Sequence, residues 1–218
     1  MLLSSTASAQ LSGSVGVDSD YRYRGISLSS SKPSVRVNAN IDSRSGVYGG
    51  LSAVQARVPQ AGRYTQWIGY AGYARPAFTG ASLDFGATYT HFSGNGQYDF
   101  TELYGGVLAS RWSLRLNYSP NYFGRDVRTA YLDATSHAQL NDTVHLFGHL
   151  GFLARLSGNN LGPSDSNRSR ADLRVGAGWS LGDADLQVAW VAAGSGGPIA
   201  APYTQRRGGW LFSAAYSF

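Results

Sequence analysis

The chain has no cysteine, one methionine and one lysine, and each shortage excludes a structure or a chemistry. Without cysteine there is no disulfide, thiolate nucleophile or cysteine metal ligand. No apolar run approaches the roughly 18 residues that a membrane-spanning helix needs, and the mean hydropathy is −0.21. Because a strand that alternates apolar and polar residues averages to a low hydropathy, this value leaves a membrane β-barrel open.

Positive charge is spread along the chain and gathers in no basic run. The formal net charge is +5, and all the cationic side chains except Lys32 are arginines. A nucleic-acid-binding domain would collect such charge on one helix or face, so we expect no nucleic-acid partner. Arginines at an outer rim would instead meet the phosphates of lipopolysaccharide, because guanidinium binds phosphate through paired hydrogen bonds.

The N-terminal residues resemble the end of a secretory signal. They are small and end in the pattern Ala7-Ser8-Ala9, which is typical of a signal-peptide cleavage site, although the basic region that opens a full signal is missing. We therefore expect residues 1–9 to be a residual signal peptide and residues 10–218 to form one outer-membrane β-barrel.

Alternation of apolar and polar residues is the main pattern in the rest of the chain. It occurs in about twelve segments, and the last, residues 210–218, is aromatic and ends on Phe218. A final strand of this kind is typical of outer-membrane barrels, where it closes against the first strand and is read by the barrel-assembly machinery. The prediction is all-β: a transmembrane antiparallel up-and-down β-barrel of about 12 strands.

Two observations place the apolar face outside, towards lipid. The first is that connections alternate in length: residues 43–46, 110–111, 141–143 and 181–183 are short, and residues 25–32, 119–126, 157–168 and 194–206 are long. Short periplasmic turns and long extracellular loops are the outer-membrane pattern. With an even strand number, both termini are expected on the periplasmic side.

The second observation is that aromatic residues gather at both ends of the apolar face. Such rings prefer the headgroup level of a bilayer, so two girdles are predicted. The girdle at the short-turn end comprises Tyr73, Trp112, Trp179, Tyr216 and Phe218. The girdle at the long-loop end comprises Tyr21, Tyr89, Tyr118, Trp190 and Trp210.

The opposite face is polar and is predicted to line the lumen. Its charged members are Asp18, Asp20, Arg22, Arg36, Asp84, Glu102, Arg115, Asp133, His149, Arg155, Arg170, Asp172 and Arg174. A hairpin centred near residue 28 would place Asp18 or Asp20 opposite Arg36. A second hairpin, centred near residue 162, would place Arg155 opposite Arg170, with Arg174 on the same face.

Residues 19–27 (SDYRYRGIS) resemble the hallmark of the TorF-family porins, or Gcw_chp proteins, of proteobacterial outer membranes. Residues 45–50 resemble that family's turn into its third strand, and the Tyr-Ser-Phe ending agrees. The resemblance implies an outer-membrane barrel named as a porin, and it implies no catalytic residues.

The function that we predict is a small passive channel for polar solutes that leans towards anions. Arginines would add positive potential at the outer mouth: Arg57, Arg63, Arg125, Arg128, Arg168, Arg206 and Arg207. A closed-lumen barrel that binds a partner or a surface polymer through loops with Tyr122, Phe123 and Tyr203 is the alternative. An outer-membrane lipid-modifying enzyme is a lesser one, because no Ser–His pair is patterned to face lipid.

No cofactor or metal is expected. His145 and His149 lie four residues apart, which in a strand separates them by about 13 Å. An oligomer or a protein partner is compatible with the sequence but is not indicated by it.

Overall fold

The computed structural model describes residues 9–58, 62–94, 96–158, 169–198 and 208–218, with the backbone alone for Ala9 and Val58. These residues form a closed antiparallel β-barrel of twelve strands, which confirms the predicted fold class and strand number. In the described part of the chain, no helix is long and apolar enough to cross a membrane.

The strands are numbered β1 to β14 in chain order. The barrel wall consists of β1 (Ala9–Asp18), β4 (Ser34–Ser43), β5 (Val47–Val58), β6 (Gly62–Phe78), β7 (Ala81–Phe92), β8 (Phe100–Ala109), β9 (Trp112–Ser119), β10 (Val127–Gln139), β11 (Val144–Gly158), β12 (Ser169–Leu181), β13 (Ala184–Ala193) and β14 (Gly208–Ser217). A separate hairpin is formed by β2 (Arg22–Tyr23) and β3 (Ile26–Ser27). Single 3₁₀ turns cover Gly96–Tyr98 and Tyr122–Gly124.

The barrel closes through β1. Val15 on β1 lies opposite Val37 of β4 on one side and Tyr216 of β14 on the other. Closure pairs the edges that an open sheet would expose, and a bilayer requires such pairing because it offers no water to satisfy backbone groups. Both ends of the described chain lie at the barrel end where the short turns are found. That this end faces the periplasm stays a prediction.

The outward face is apolar and exposed. Leu114 and Leu116 on β9, and Leu150 and Phe152 on β11, are all exposed large hydrophobic residues. A continuous apolar band around a protein is stable only against another apolar phase, here lipid. The predicted orientation of the two faces therefore agrees with the structure.

All the predicted girdle aromatics except Tyr21 lie on this outward face. Tyr21 is 8% exposed and packs with Ile26 and Leu28 inside the barrel. The prediction for Tyr21 was wrong because β1 ends at Asp18, so its alternation no longer decides which way Tyr21 points. Contact of the other aromatics with headgroups stays a prediction.

Residues 19–33, which we call the inner segment, fold into the barrel at the long-loop end. The sequence had predicted a long outer loop over residues 25–32. Arg24 and Gly25 take positive φ angles of 49° and 78°, and so reverse the chain between β2 and β3. Ile26 and Leu28 are buried against inward residues of the wall strands. Apolar side chains of a predicted outer loop thus fill the barrel.

Connection lengths follow the predicted pattern with one exception. At the short-turn end, two to four residues join successive strands. At the other end the links are longer, except between β5 and β6, where only residues 59–61 intervene. Those three residues lie outside the described part of the chain.

Candidate functional site

The lumen holds a polar cavity of about 590 Å³ next to the inner segment. Charged side chains face it from the wall, including Arg36, Arg115, Asp133, His149 and Arg174. A second space of about 440 Å³ lies further towards the short-turn end. The half of the lumen at the long-loop end differs, because packed side chains fill it.

The filling is an aromatic cluster, which we call the cap: Tyr23, Phe92, Phe100, Tyr122 and Phe123. Phe100 and Phe123 stack with ring centroids 5.0 Å apart, and Tyr122 meets Phe123 edge-on at 4.9 Å. Phe92, Phe100 and Phe123 are at most 1% exposed. Tyr122 and Phe123 were predicted to lie in an outer loop that binds a partner. That prediction was wrong, since the turn at residues 122–124 carries both rings inward.

Asp20 holds the inner segment in shape. Its carboxylate accepts hydrogen bonds from the hydroxyls of Ser27 at 2.5 Å and Ser29 at 3.0 Å, and from Arg22 Nε at 2.9 Å. The Ser29 hydroxyl in turn accepts the backbone N–H of Tyr21. A buried carboxylate is stable only when it is paired and hydrogen-bonded, and Asp20 meets both conditions.

Arg24 joins the inner segment to the wall. Its two terminal nitrogens donate to the two oxygens of Glu102 on β8, at 2.7 and 2.8 Å. The Tyr23 hydroxyl also donates to Glu102, and the guanidinium lies over the ring of Tyr131, 4.2 Å from its centroid. The two charged side chains are 7% and 4% exposed, so this two-point ion pair is buried.

A second junction lies where Gly25 meets β12. A Cβ at Gly25 would lie 2.8 Å from the Cβ of Asp172, so the two backbones approach closely. Asp172 accepts from the Tyr131 hydroxyl at 3.2 Å and lies 3.0 Å from His149 Nε2. The other ring nitrogen of His149 lies 3.6 Å from Asp133. This network forms one side of the cavity.

The short-turn half of the lumen is polar and more open. Asp84 on β7 pairs with Arg115 at 2.7 Å and accepts a hydrogen bond from the Tyr48 hydroxyl. Tyr48 and Tyr104 share a hydrogen bond of 2.7 Å. The Arg115 side chain is 35% exposed, whereas the Arg24 side chain is 7% exposed.

Arg155, Arg170 and Arg174 form what we call the arginine wall, on the lumen side of β11 and β12. In the described residues, none of the three lies within ion-pair distance of a carboxylate. Arg174 Nη2 donates to Gln187, and its buried Nε has no partner. Arg170 is 2% exposed and donates to the backbone of Gly196. Within the described residues the wall therefore carries three guanidinium groups that form no ion pair with a carboxylate.

Both predicted hairpin registers were wrong by a small shift. Arg36 lies opposite Gly16, although it still reaches Asp18 diagonally at 3.4 Å. Arg170 lies opposite Leu153, so it does not face Arg155. A shift by an even number of residues keeps each side chain on its face, which is why Arg36 and Arg170 still point into the barrel.

The other predicted lumen residues also point into the barrel, but Asp20 and Arg22 belong to the inner segment rather than to the wall. Contact of any of them with a solute stays a prediction. Sequence reasoning missed Tyr48 and Tyr131; the alternation puts Arg24 on the lumen face with Asp20 and Arg22, but it did not indicate the pairing of Arg24 with Glu102. Tyr48 and Tyr131 stand in the polar phase of their strands, and that phase was the available signal.

Ser180, His145 and Asp185 meet inside the short-turn end, an arrangement that invites comparison with a catalytic triad. The Ser180 hydroxyl lies 3.5 Å from His145 Nδ1 and donates to Asp185 at 3.3 Å, and Asp185 also lies 3.6 Å from His145 Nε2. All three separations are long, and the serine donates to the carboxylate, whereas an activated nucleophile donates to its base. Over the described residues, no group of three or more His, Asp and Glu side chains is placed to hold a metal ion.

Outside the wall strands, burial raises the pKa of two tyrosines, and hydrogen bonds lower the pKa of one aspartate. Burial raises the pKa of the Tyr21 and Tyr122 hydroxyls, so both stay neutral inside the barrel. Burial also acts to raise the pKa of Asp99, but hydrogen bonds from His91, the Phe92 amide and Tyr89 outweigh it, and the pKa is lowered. Asp99 therefore remains a carboxylate that holds the link between β7 and β8.

At the long-loop rim, the structure describes Arg57, Arg63, Arg125 and Arg128. Arg168, Arg206, Arg207 and Tyr203 lie outside the described residues.

The closed barrel with a polar interior and an apolar belt is a porin-like outer-membrane fold. The KdgM porin matches with a TM-score of 0.60 and 13% identity, and the NanC porin with 0.64 and 8%; each match covers 95% of this chain and 99% of that chain. LpxR from Salmonella typhimurium matches at 0.55 and 11%, with the same coverage. At these identities the likeness shows the fold alone.

The chain belongs to the Gcw_chp family, described as bacterial protein of unknown function, whose model matches residues 4–215. The resemblance of residues 19–27 and 45–50 to that family is thereby confirmed, whereas nothing in the match bears on the TorF name. No curated protein sequence matches the chain.

Proposed function

We propose that the chain is an outer-membrane channel for small polar solutes, selective for anions, and that its described conformation is shut at the long-loop end. The observation that carries the proposal is Arg174, a guanidinium that faces the lumen cavity and forms no ion pair with a carboxylate of the described residues. The porin-like fold supports a channel of this kind.

Arg174 is the one guanidinium among the described cavity residues that has no carboxylate partner. Arg36 is paired with Asp18 and Arg115 with Asp84, whereas His149 lies between two carboxylates, Asp133 and Asp172, and this group keeps a negative charge even when the ring is protonated. An anion that enters would exchange part of its hydration shell for the guanidinium of Arg174, which must outweigh that negative charge for the channel to select anions. Positive charge then continues along the wall to Arg170 and Arg155.

The inner segment closes this path at the long-loop end, because its apolar side chains pack with the cap inside the barrel and are almost fully buried. Conduction requires the segment to move. The same burial favours the second candidate, a barrel whose lumen stays closed and whose role lies in its loops. The two candidates differ in whether the inner segment leaves the lumen.

Reversal potential measures the selectivity directly. The refolded protein is recorded in a planar bilayer with a KCl gradient, beside Arg174→Gln and the control Arg75→Gln, which removes the same charge from the outward face of β6. The openings of the wild type and of Arg75→Gln are expected to favour chloride, and those of Arg174→Gln to do so less. Cation preference in the wild type contradicts the proposal.

We also propose that the chain is not an enzyme. The hydroxyl of Ser180 donates to the carboxylate of Asp185 at 3.3 Å, closer than the 3.5 Å to His145, so the imidazole is not its main acceptor. His91, which faces outward at the long-loop end, is engaged with Asp99 at 2.6 Å. Release of fatty acid from phospholipid vesicles by the wild type, abolished in Ser180→Ala or His91→Ala, would contradict this.

A further inference from the structure

Arg57 and Arg63 face each other on the outside of the barrel. They are directly opposite in the register of β5 and β6, so their side chains share one face. The same face carries Trp67, opposite Ala53, and Trp67 is an exposed outward residue. No shift of register occurs between these positions, so both arginines point outward.

The pair has no acidic partner in the described part of the chain. Neither guanidinium lies within ion-pair distance of a carboxylate, and the Nε of Arg57 is buried without a hydrogen-bond partner. Asp99, a carboxylate in the link between β7 and β8, is engaged by His91 and Tyr89. Two like charges directly opposite in a sheet cost free energy unless an anion compensates them.

The backbone holds Arg57 in place. Its N–H donates to the carbonyl of Leu28 at 2.7 Å, and its carbonyl accepts the hydroxyl of Ser30. Both partners belong to the inner segment, and Lys32, the only lysine of the chain, lies two residues further on. The pair is thus built onto a fixed part of the wall rather than carried by a free loop.

The level of the Arg57 and Arg63 pair along the barrel axis matches the level of the lipid headgroups. Arg63 lies four residues beyond Trp67 along β6, which is about 13 Å along the strand and less along the barrel axis because strands tilt. Trp67 and Tyr89 mark the aromatic level below it. The guanidinium groups therefore stand just above the apolar band, where lipid phosphates lie in a bilayer.

We propose that Arg57 and Arg63 together bind the phosphate of a lipid headgroup in the outer leaflet, that of lipopolysaccharide. Paired guanidinium groups offer a phosphate several charge-assisted hydrogen bonds. This proposal rests on the outer-membrane location and on the long-loop end facing outward. It does not rest on conduction, so a barrel that never opens can still bind the lipid.

The test is native mass spectrometry of the full chain in detergent with lipid A that carries two phosphates, and with lipid A from which both have been removed. The double variant Arg57→Gln/Arg63→Gln is compared with Arg44→Gln/Arg75→Gln, which removes two arginines at the short-turn end of the same region. Removal of each phosphate-binding guanidinium is expected to weaken binding about tenfold, while the control stays at the wild-type affinity.

Three results would overturn the proposal: equal binding of phosphate-free lipid A, equal affinity of the two double variants, or displacement of the lipid by millimolar inorganic phosphate. The last would mean that the site takes free phosphate rather than a lipid. Retained heat-modifiability shows that the variants fold. If the double variant fails to fold, Arg63→Gln alone carries the test, because this side chain is exposed.

Discussion

The two halves of the lumen are built on the same wall strands yet have opposite interiors. At the long-loop end, the inner segment and the cap exclude water, and even the ion pair of Arg24 and Glu102 is buried. At the short-turn end Asp84 is also buried, but its partner Arg115 is 35% exposed and lines open polar space. The interior of one half therefore resembles a protein core, whereas the other half contains open polar space.

The difference shows that strand alternation decides the wall but not what fills it. Alternation places polar side chains inward along most of the barrel, but at the long-loop end some inward wall residues are apolar, among them Phe92 and Phe100. A connection that folds back can then supply a hydrophobic core of its own, as Ile26 and Leu28 do here. Whether the barrel conducts thus depends on a connection rather than on its strands.

The largest contrast is expected between Glu102→Ala and Asp84→Ala. Loss of Glu102 leaves Arg24 buried without a counter-charge, which should lower the free energy of unfolding by about 3–5 kcal/mol. Loss of Asp84 leaves Arg115 able to reach water, so about 1–2 kcal/mol is expected. Guanidinium unfolding in detergent micelles measures both values. Equal losses would mean that the two halves do not differ as described.

Aromatic truncation should show the same contrast on a smaller scale. Phe123→Ala empties a site that is 1% exposed, and such cavities cost about 3–5 kcal/mol, less where the surroundings collapse. Phe147→Ala removes a partly exposed ring beside Arg174, for which about 1–2 kcal/mol is expected. The same unfolding experiment ranks them, and the reverse order would contradict the idea of a packed cap.

The smallest expected effect is a loss of stability at low pH in the link between β7 and β8. Because the pKa of Asp99 is lowered in the folded chain, its stabilising contribution is complete above its ordinary value of 3.8 and is lost as the pH falls through the lower folded value. The protection of the Phe92 amide against exchange, measured relative to its intrinsic rate at each pH, should therefore fall below about pH 4, because this amide donates to Asp99. Asp99→Asn is expected to remove this pH dependence. An unchanged acid response in that variant would assign it to another group.

The fold was predictable because outward side chains such as Leu114 and Phe152 obey a period of two along each strand. Errors in register did not change the face to which a side chain was assigned. Arg36 and Arg170 point inward although both predicted registers were wrong. The inner segment was not predictable, because sequence indicates that residues 19–33 link two strands but not whether the link folds inward or outward. The apolar and aromatic side chains within that link, and the apolar residues Phe92 and Phe100 in the polar phase of their strands, were the available hints.

The sequence predicted which residues line the candidate site, but it did not predict which of them pair with each other. Asp84 and Arg115 belong to strands that do not pair with each other, and Arg24 reaches Glu102 across the lumen. Contacts across a barrel depend on the circumference of the barrel and on the segment that fills it. The local sequence pattern of a strand gives information about neither.

Single-channel recording of the wild type beside a variant with residues 22–27 replaced by a Gly-Ser stretch of equal length tests the central claim most directly. If the inner segment closes the lumen, the wild type should open rarely and briefly, and the variant should give steady steps that favour chloride. Steady conduction by the wild type, equal to that of the variant, would contradict closure by the inner segment. Silence from both, as folded and heat-modifiable barrels, would contradict the channel itself.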